Sequence, residues 1–83
     1  MSLLPHQERV VDEKAELDIR REKLRAFMEG DIYRGLDDSE RMLLVRQLFI
    51  MGRYSEILGQ RIVGFRAAAA DREAGNVGTA STA

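Results

Sequence analysis

Apolar residues recur along this chain at a helical period. Between Asp37 and Phe65, the residues Leu43, Leu44, Leu48, Met51, Tyr54, Leu58, Ile62 and Phe65 share one broad face at 100° per residue. Val45, Phe49, Ile50 and Ile57 fall outside it. The run Met42–Met51 is therefore apolar nearly all round, the pattern of a helix buried on more than one side. Arg41, Arg46 and Arg53 interrupt the run, which excludes a membrane span. The start of this helix is marked by Asp37 as N-cap with Glu40 three residues later, a capping box with Asp in the Ser/Thr place. Asp38 and Glu40 add negative charge in the first turn, where the exposed N–H groups favour it.

The first half of the chain carries a second helical pattern. Pro5 suits a first turn, where its missing N–H costs nothing, and Gly30 is the expected stop, so helix one is placed at about 5–29. Val10, Leu17, Leu24 and Met28, with Phe27 beside them, form one stripe. Val11, Ala15, Ile19 and Ala26 form another on nearly the opposite side. Two stripes call for two partners: helix two of the same chain, and another copy of the protein. The connector at 30–36 is short, so the helices are antiparallel neighbours, with Ile32 and Tyr33 closing the hairpin end. Helix two is placed at about 37–70. Residues 75–83, GNVGTASTA, have no periodicity and are expected to be disordered. The expected fold is all-α, one domain over 1–74. It is an antiparallel hairpin of two long helices, assembling into a compact homo-oligomeric bundle because a lone hairpin has a thin core.

Gly52 and Gly59 lie seven residues apart and share a face. Each costs on the order of 1 kcal/mol relative to Ala in a helix interior, so something is expected to approach closely there. A neighbouring backbone is the plain reading and a ligand the functional one. The charges Glu13, Lys14, Arg20 and Arg21 stand where a strict coiled-coil seam takes apolar residues. They read either as a solvated face with pairs such as Glu16 with Arg20, or as cations facing a polar cavity between subunits.

Composition narrows the chemistry. The chain has 83 residues, a net charge of -1, no Cys and one His, His6. Disulfides, thiolate metal sites and a Cys nucleophile are excluded, and one His leaves neither a His-based triad nor a His-rich metal site within one chain. The acidic residues are dispersed, and Glu13 with Glu16 lacks the Glu-x-x-His of di-iron bundles. The expectation is a protein that is not an enzyme, with no cofactor and no metal. Balanced charge argues against binding polymeric DNA or RNA, so any anion site must be built locally from a few Arg and Lys. Met1–Pro5 lacks the charged and apolar regions of a signal peptide.

The pattern His6-Gln7-x-Arg9-Val10, Glu13-Lys14-x-Glu16-Leu17 and Lys23-Leu24-x-x-Phe27 resembles a family of short phage proteins. So does Leu43-Leu44, Gln47, Met51, Tyr54, Leu58 and Arg61-Ile62 in the second half. The resemblance runs from about Pro5 to Phe65, to the anti-CBASS cyclic-oligonucleotide sponges of crAss-like and tailed phages. It implies a helical homo-oligomer, a hexamer, in the cytoplasm of an infected bacterial host. Such a protein binds cyclic dinucleotides and cyclic trinucleotides in separate pockets between subunits and holds them without cleavage, so the defence effector is never triggered. The resemblance further implies a dinucleotide pocket served by His6, planar in place of the family aromatic, with Lys23 and nearby Arg9. Arg61 matches the trinucleotide pocket, and Arg21 is a further candidate by position. The chemistry suits the ligand, since phosphates need cationic donors and bases need flat or apolar surfaces.

Two function classes stand after this reading. One is the sponge. The other is a non-enzymatic structural or protein-binding helical accessory module without a nucleotide site. Titration with cyclic nucleotides separates them.

Overall fold

The structure is a computed structural model, which describes residues 3–82 and the side chains of residues 3–72. Helix α1 is Pro5–Phe27, α2 is the short Asp31–Gly35, and α3 is Asp38–Thr82. The described chain is all-helical, an antiparallel hairpin in which α1 packs along α3. Its extents are 68 × 17 × 16 Å, the thickness of two helices side by side. Among the described residues, no third layer covers either broad side of the pair.

The helix ends follow from local chemistry. Pro5 opens α1, and the Leu4 N–H donates to Oε1 of Gln7 at 2.9 Å, which satisfies one donor beside the first turn. Asp37 caps α3 as its sequence position predicts: its Oδ1 accepts from the Glu40 N–H at 3.0 Å. Gly30 behaves differently from the expected stop. Helix α1 ends at Phe27, and Gly30, with φ -95°, is the N-cap of α2. No described glycine adopts a positive φ. The connector is thus itself a turn of helix, because Asp31 and Arg34 pair across it and Arg34 Nη2 donates to the Glu29 carbonyl at 2.9 Å. Tyr33 closes the hairpin end as expected, edge-on to Phe27 with ring centroids 6.4 Å apart. Ile32 does not; it is 71% exposed.

The core is one thin seam. Val10 and Leu17 of α1 meet Leu58 and Ile62 of α3, with Val11, Met51 and Phe65 partly buried against them. The stripe expected from Val10 and Leu17 is the one that packs. Val11, assigned to the opposite stripe, turns onto the seam's edge, while Ile19 stays exposed. Leu43, Val45, Phe49, Ile50 and Ile57 are exposed in the single chain.

The sequence pattern places helix two at about 37–70 and leaves 75–83 without periodicity. The α3 backbone is helical to Thr82, and side chains after Arg72 lie outside the described residues. A helical ladder propagates through its own hydrogen bonds without a packing partner, and the run Ala67–Ala70 favours it. Gly64 marks a removable cost in that ladder. A Cβ built there meets nothing within 4 Å. Gly64→Ala is expected to stabilise the fold by about 0.5–1 kcal/mol, read as a higher midpoint in urea.

Candidate functional site

Three small residues of α3, Gly52, Ser55 and Gly59, lie on the side turned to α1. Each stands opposite one charged residue. Gly59 faces Lys14, Ser55 faces Asp18, and Gly52 faces Arg21. A Cβ at Gly59 would lie 3.3 Å from Lys14 Cε, and one at Gly52 would lie 3.3 Å from Arg21 Nη2. Within the hairpin, the close approach expected at these glycines is made by charged side chains of α1 rather than by its backbone. A methyl group at either glycine would require the facing cation to shift by a few tenths of an ångström.

Asp18 is the hinge of this row. Its carboxylate accepts from Lys14 Nζ at 2.7 Å, from Arg21 Nη1 at 3.2 Å and from Ser55 Oγ at 2.6 Å. The Lys14 and Ser55 hydrogen bonds, with a lesser one from Arg21, hold its pKa down at about 2, against a smaller opposing effect of burial. Ser55 is 4% exposed, so its hydroxyl needs this acceptor. Arg21 spends one nitrogen on Asp18. Its Nε is buried without a hydrogen-bond partner, alone in this among the described side chains.

Along this side of the hairpin the surface is concave. At one end, a groove of about 350 Å³ is bounded by Val11, Lys14, Asp18, Gly59 and Arg66. At the other, a groove of about 360 Å³ is bounded by Arg21, Arg25, Phe49, Gly52, Arg53 and Glu56. Cations thus stand along both helices, over a floor of small residues.

The residues singled out from the sequence are divided by the fold. Arg21 lies in the groove. Arg61 lies over the Phe65 ring, 5.6 Å from its centroid, close enough to Tyr54 to act on its ionisation. Tyr54 donates a hydrogen bond to Glu13 of α1, and that carboxylate raises the phenol's pKa. His6, Arg9 and Lys23 are exposed on α1 and border none of the grooves described. Lys14 was weighed among the seam-breaking charges, whereas Asp18 and Ser55 were missed. The available signal was Lys14, Asp18 and Arg21 at spacings of four and three, matching Gly52, Ser55 and Gly59 at three and four. Glu16 with Arg20 is the loose surface pair expected, at 3.8 Å.

No metal-binding cluster of His, Cys, Asp or Glu occurs among the described residues, and no described helix is long and apolar enough to cross a membrane. The Sequestin family model matches residues 4–63. That is most of the chain, and the chain belongs to the Sequestin family. No curated protein and no solved structure matches it.

Proposed function

We propose that this Sequestin-family chain is a sponge: it binds cyclic dinucleotides and cyclic trinucleotides and holds them unchanged, which keeps a bacterial CBASS effector from firing. The observation that carries the reading is an open, cation-edged groove in a chain whose family is named for sequestration. Cyclic oligonucleotides present phosphates at fixed spacing and flat bases, and guanidinium groups beside exposed aromatic rings match both. The chemistry ends at binding. Asp18 is held ionised by its partners, and Tyr54 is held protonated, so neither is poised to move a proton near neutral pH. Self-association belongs to the same proposal. Met42, Ile50 and Ile57 are large, apolar and exposed on a hairpin only two helices thick, and a hexamer would cover such surface.

Calorimetric titration with a panel of cyclic di- and trinucleotides tests this, with light scattering on the same sample. The expected result is tight binding by a homo-oligomer and recovery of intact ligand after denaturation. Lys23→Ala is expected to lose dinucleotides and Arg61→Ala trinucleotides, each by roughly thirtyfold, the assembly unchanged. No loss in either variant would move the contacts away from those two residues. A parent that binds no cyclic nucleotide leaves the exposed apolar faces as the main feature, and the protein-binding module takes over.

A further inference from the structure

The end of the groove between Arg21 and Arg53 is built unlike the rest of the surface. Arg21 and Arg25 reach it from α1, and Arg53 from α3, around the open side of Gly52. Arg21 is anchored by Asp18 through Nη1, its Nη2 lies beside Gly52 on the groove, and its Nε is buried without a partner. Arg25 pairs with Glu22 and Arg53 with Glu56, both on the exposed surface, Arg53 at 3.9 Å. Pairs of that kind contribute little and exchange readily for a stronger anion. Phe49, 65% exposed, stands at the rim and presents an apolar ring to solvent. Three guanidinium groups beside one flat ring, in a space of about 360 Å³, match a phosphate joined to a planar heterocycle. Glu56 is the one acidic residue lining this groove, and its pairing with Arg53 offsets the negative charge that would oppose an anion.

We propose that this end is a site for one nucleotide unit, with the phosphate held by Arg21, Arg25 and Arg53 and the base stacked on Phe49. It rests on the sponge reading for its biological ligand, but it is a site apart from Lys23 and Arg61. Gly52 is the residue that keeps it open. A methyl group at Gly52 would lie 3.3 Å from Arg21 Nη2, so the guanidinium would have to shift by a few tenths of an ångström.

The test uses three probes on the full chain: cyclic di-AMP, 5′-AMP and inorganic pyrophosphate, by calorimetry and by amide chemical-shift mapping. Phe49 and Arg25 are exposed, so Phe49→Ala and Arg25→Ala leave the seam intact, which circular dichroism checks. Phe49→Ala is expected to weaken both nucleotides about tenfold and to spare pyrophosphate, since stacking is lost and the phosphate contacts remain. Arg25→Ala is expected to weaken all three, and the Gly52 amide is expected to shift with each. Binding of 5′-AMP with this pattern supports the site even if cyclic di-AMP does not bind, in which case the sponge reading fails alone. Cyclic di-AMP binding that neither variant changes overturns the site and leaves the sponge reading standing. Binding of pyrophosphate without either nucleotide overturns the ring half of the proposal, and with it the site as stated.

Discussion

Leu58→Ala is expected to destabilise the fold by about 3 kcal/mol, which would leave most of the chain unfolded at moderate urea concentrations. Leu58 is 0% exposed and sits at the centre of the seam with Val10, Leu17 and Ile62. The seam is two helices thick, so few neighbours are available to collapse into the space left by three lost carbons. Small domains bury a modest fraction of their surface, and one such loss is a large share of their stability. Gln60→Ala, on the exposed side of the same helix, serves as control and should change stability by less than about 0.5 kcal/mol. A urea or thermal melt followed by circular dichroism reads both. A loss below about 1 kcal/mol for Leu58→Ala would mean that this seam is not the core.

The second large effect is expected at Asp18. Replacing it with Ala leaves Lys14 and Arg21 facing each other without their shared counter-charge, and strands the buried hydroxyl of Ser55. Hydrogen bonds to charged groups contribute more than neutral ones, but Asp18 is 37% exposed, and solvent reduces the value of the ion pairs. The expected loss is about 1–2 kcal/mol, with Asp18→Asn losing less because its amide oxygen still accepts from Ser55. Acid titration makes the prediction specific. The folded pKa of Asp18 is depressed from 3.8 to about 2, so its stabilisation is complete above the unfolded value and fades as pH falls through about 2. The parent should therefore lose stability between about pH 4 and pH 2 more steeply than Asp18→Asn does. Parallel acid curves for the two proteins would show that the carboxylate contributes nothing by its charge. A double-mutant cycle of Asp18→Asn with Ser55→Ala should give a coupling of about 0.5–1.5 kcal/mol, since the two groups touch.

Much of the hairpin is legible along the chain because its causes are local. The Asp37 cap, the Pro5 start and the period of Val10, Leu17, Leu58 and Ile62 depend on residues within a turn or two of one another, so a single pass along the sequence finds them. Gly30 was placed at the right end of α1 with the wrong role. A glycine after an apolar run signals a stop, but it does not say whether the chain turns left-handed or begins another helical turn.

The candidate groove depends on register, and register is a property of two helices together. Gly52 and Gly59 announce a close approach without naming what approaches. Only the docking of α1 on α3 sets Lys14 at Gly59, Asp18 at Ser55 and Arg21 at Gly52, across 31 to 45 positions of sequence. The same docking parts Arg21 from Lys23, two residues away and about 200° round the helix, so that one enters the groove and the other borders none of the grooves described. By itself the sequence determined two amphipathic helices, their ends, their antiparallel pairing and a chemistry limited to Arg, Lys and a few aromatics. The tertiary structure alone decided which charges share a space. Helical periodicity fixes the face a residue occupies on its own helix, whereas the partner of that face is chosen by how small residues let two helices close and how a half-buried carboxylate finds its donors.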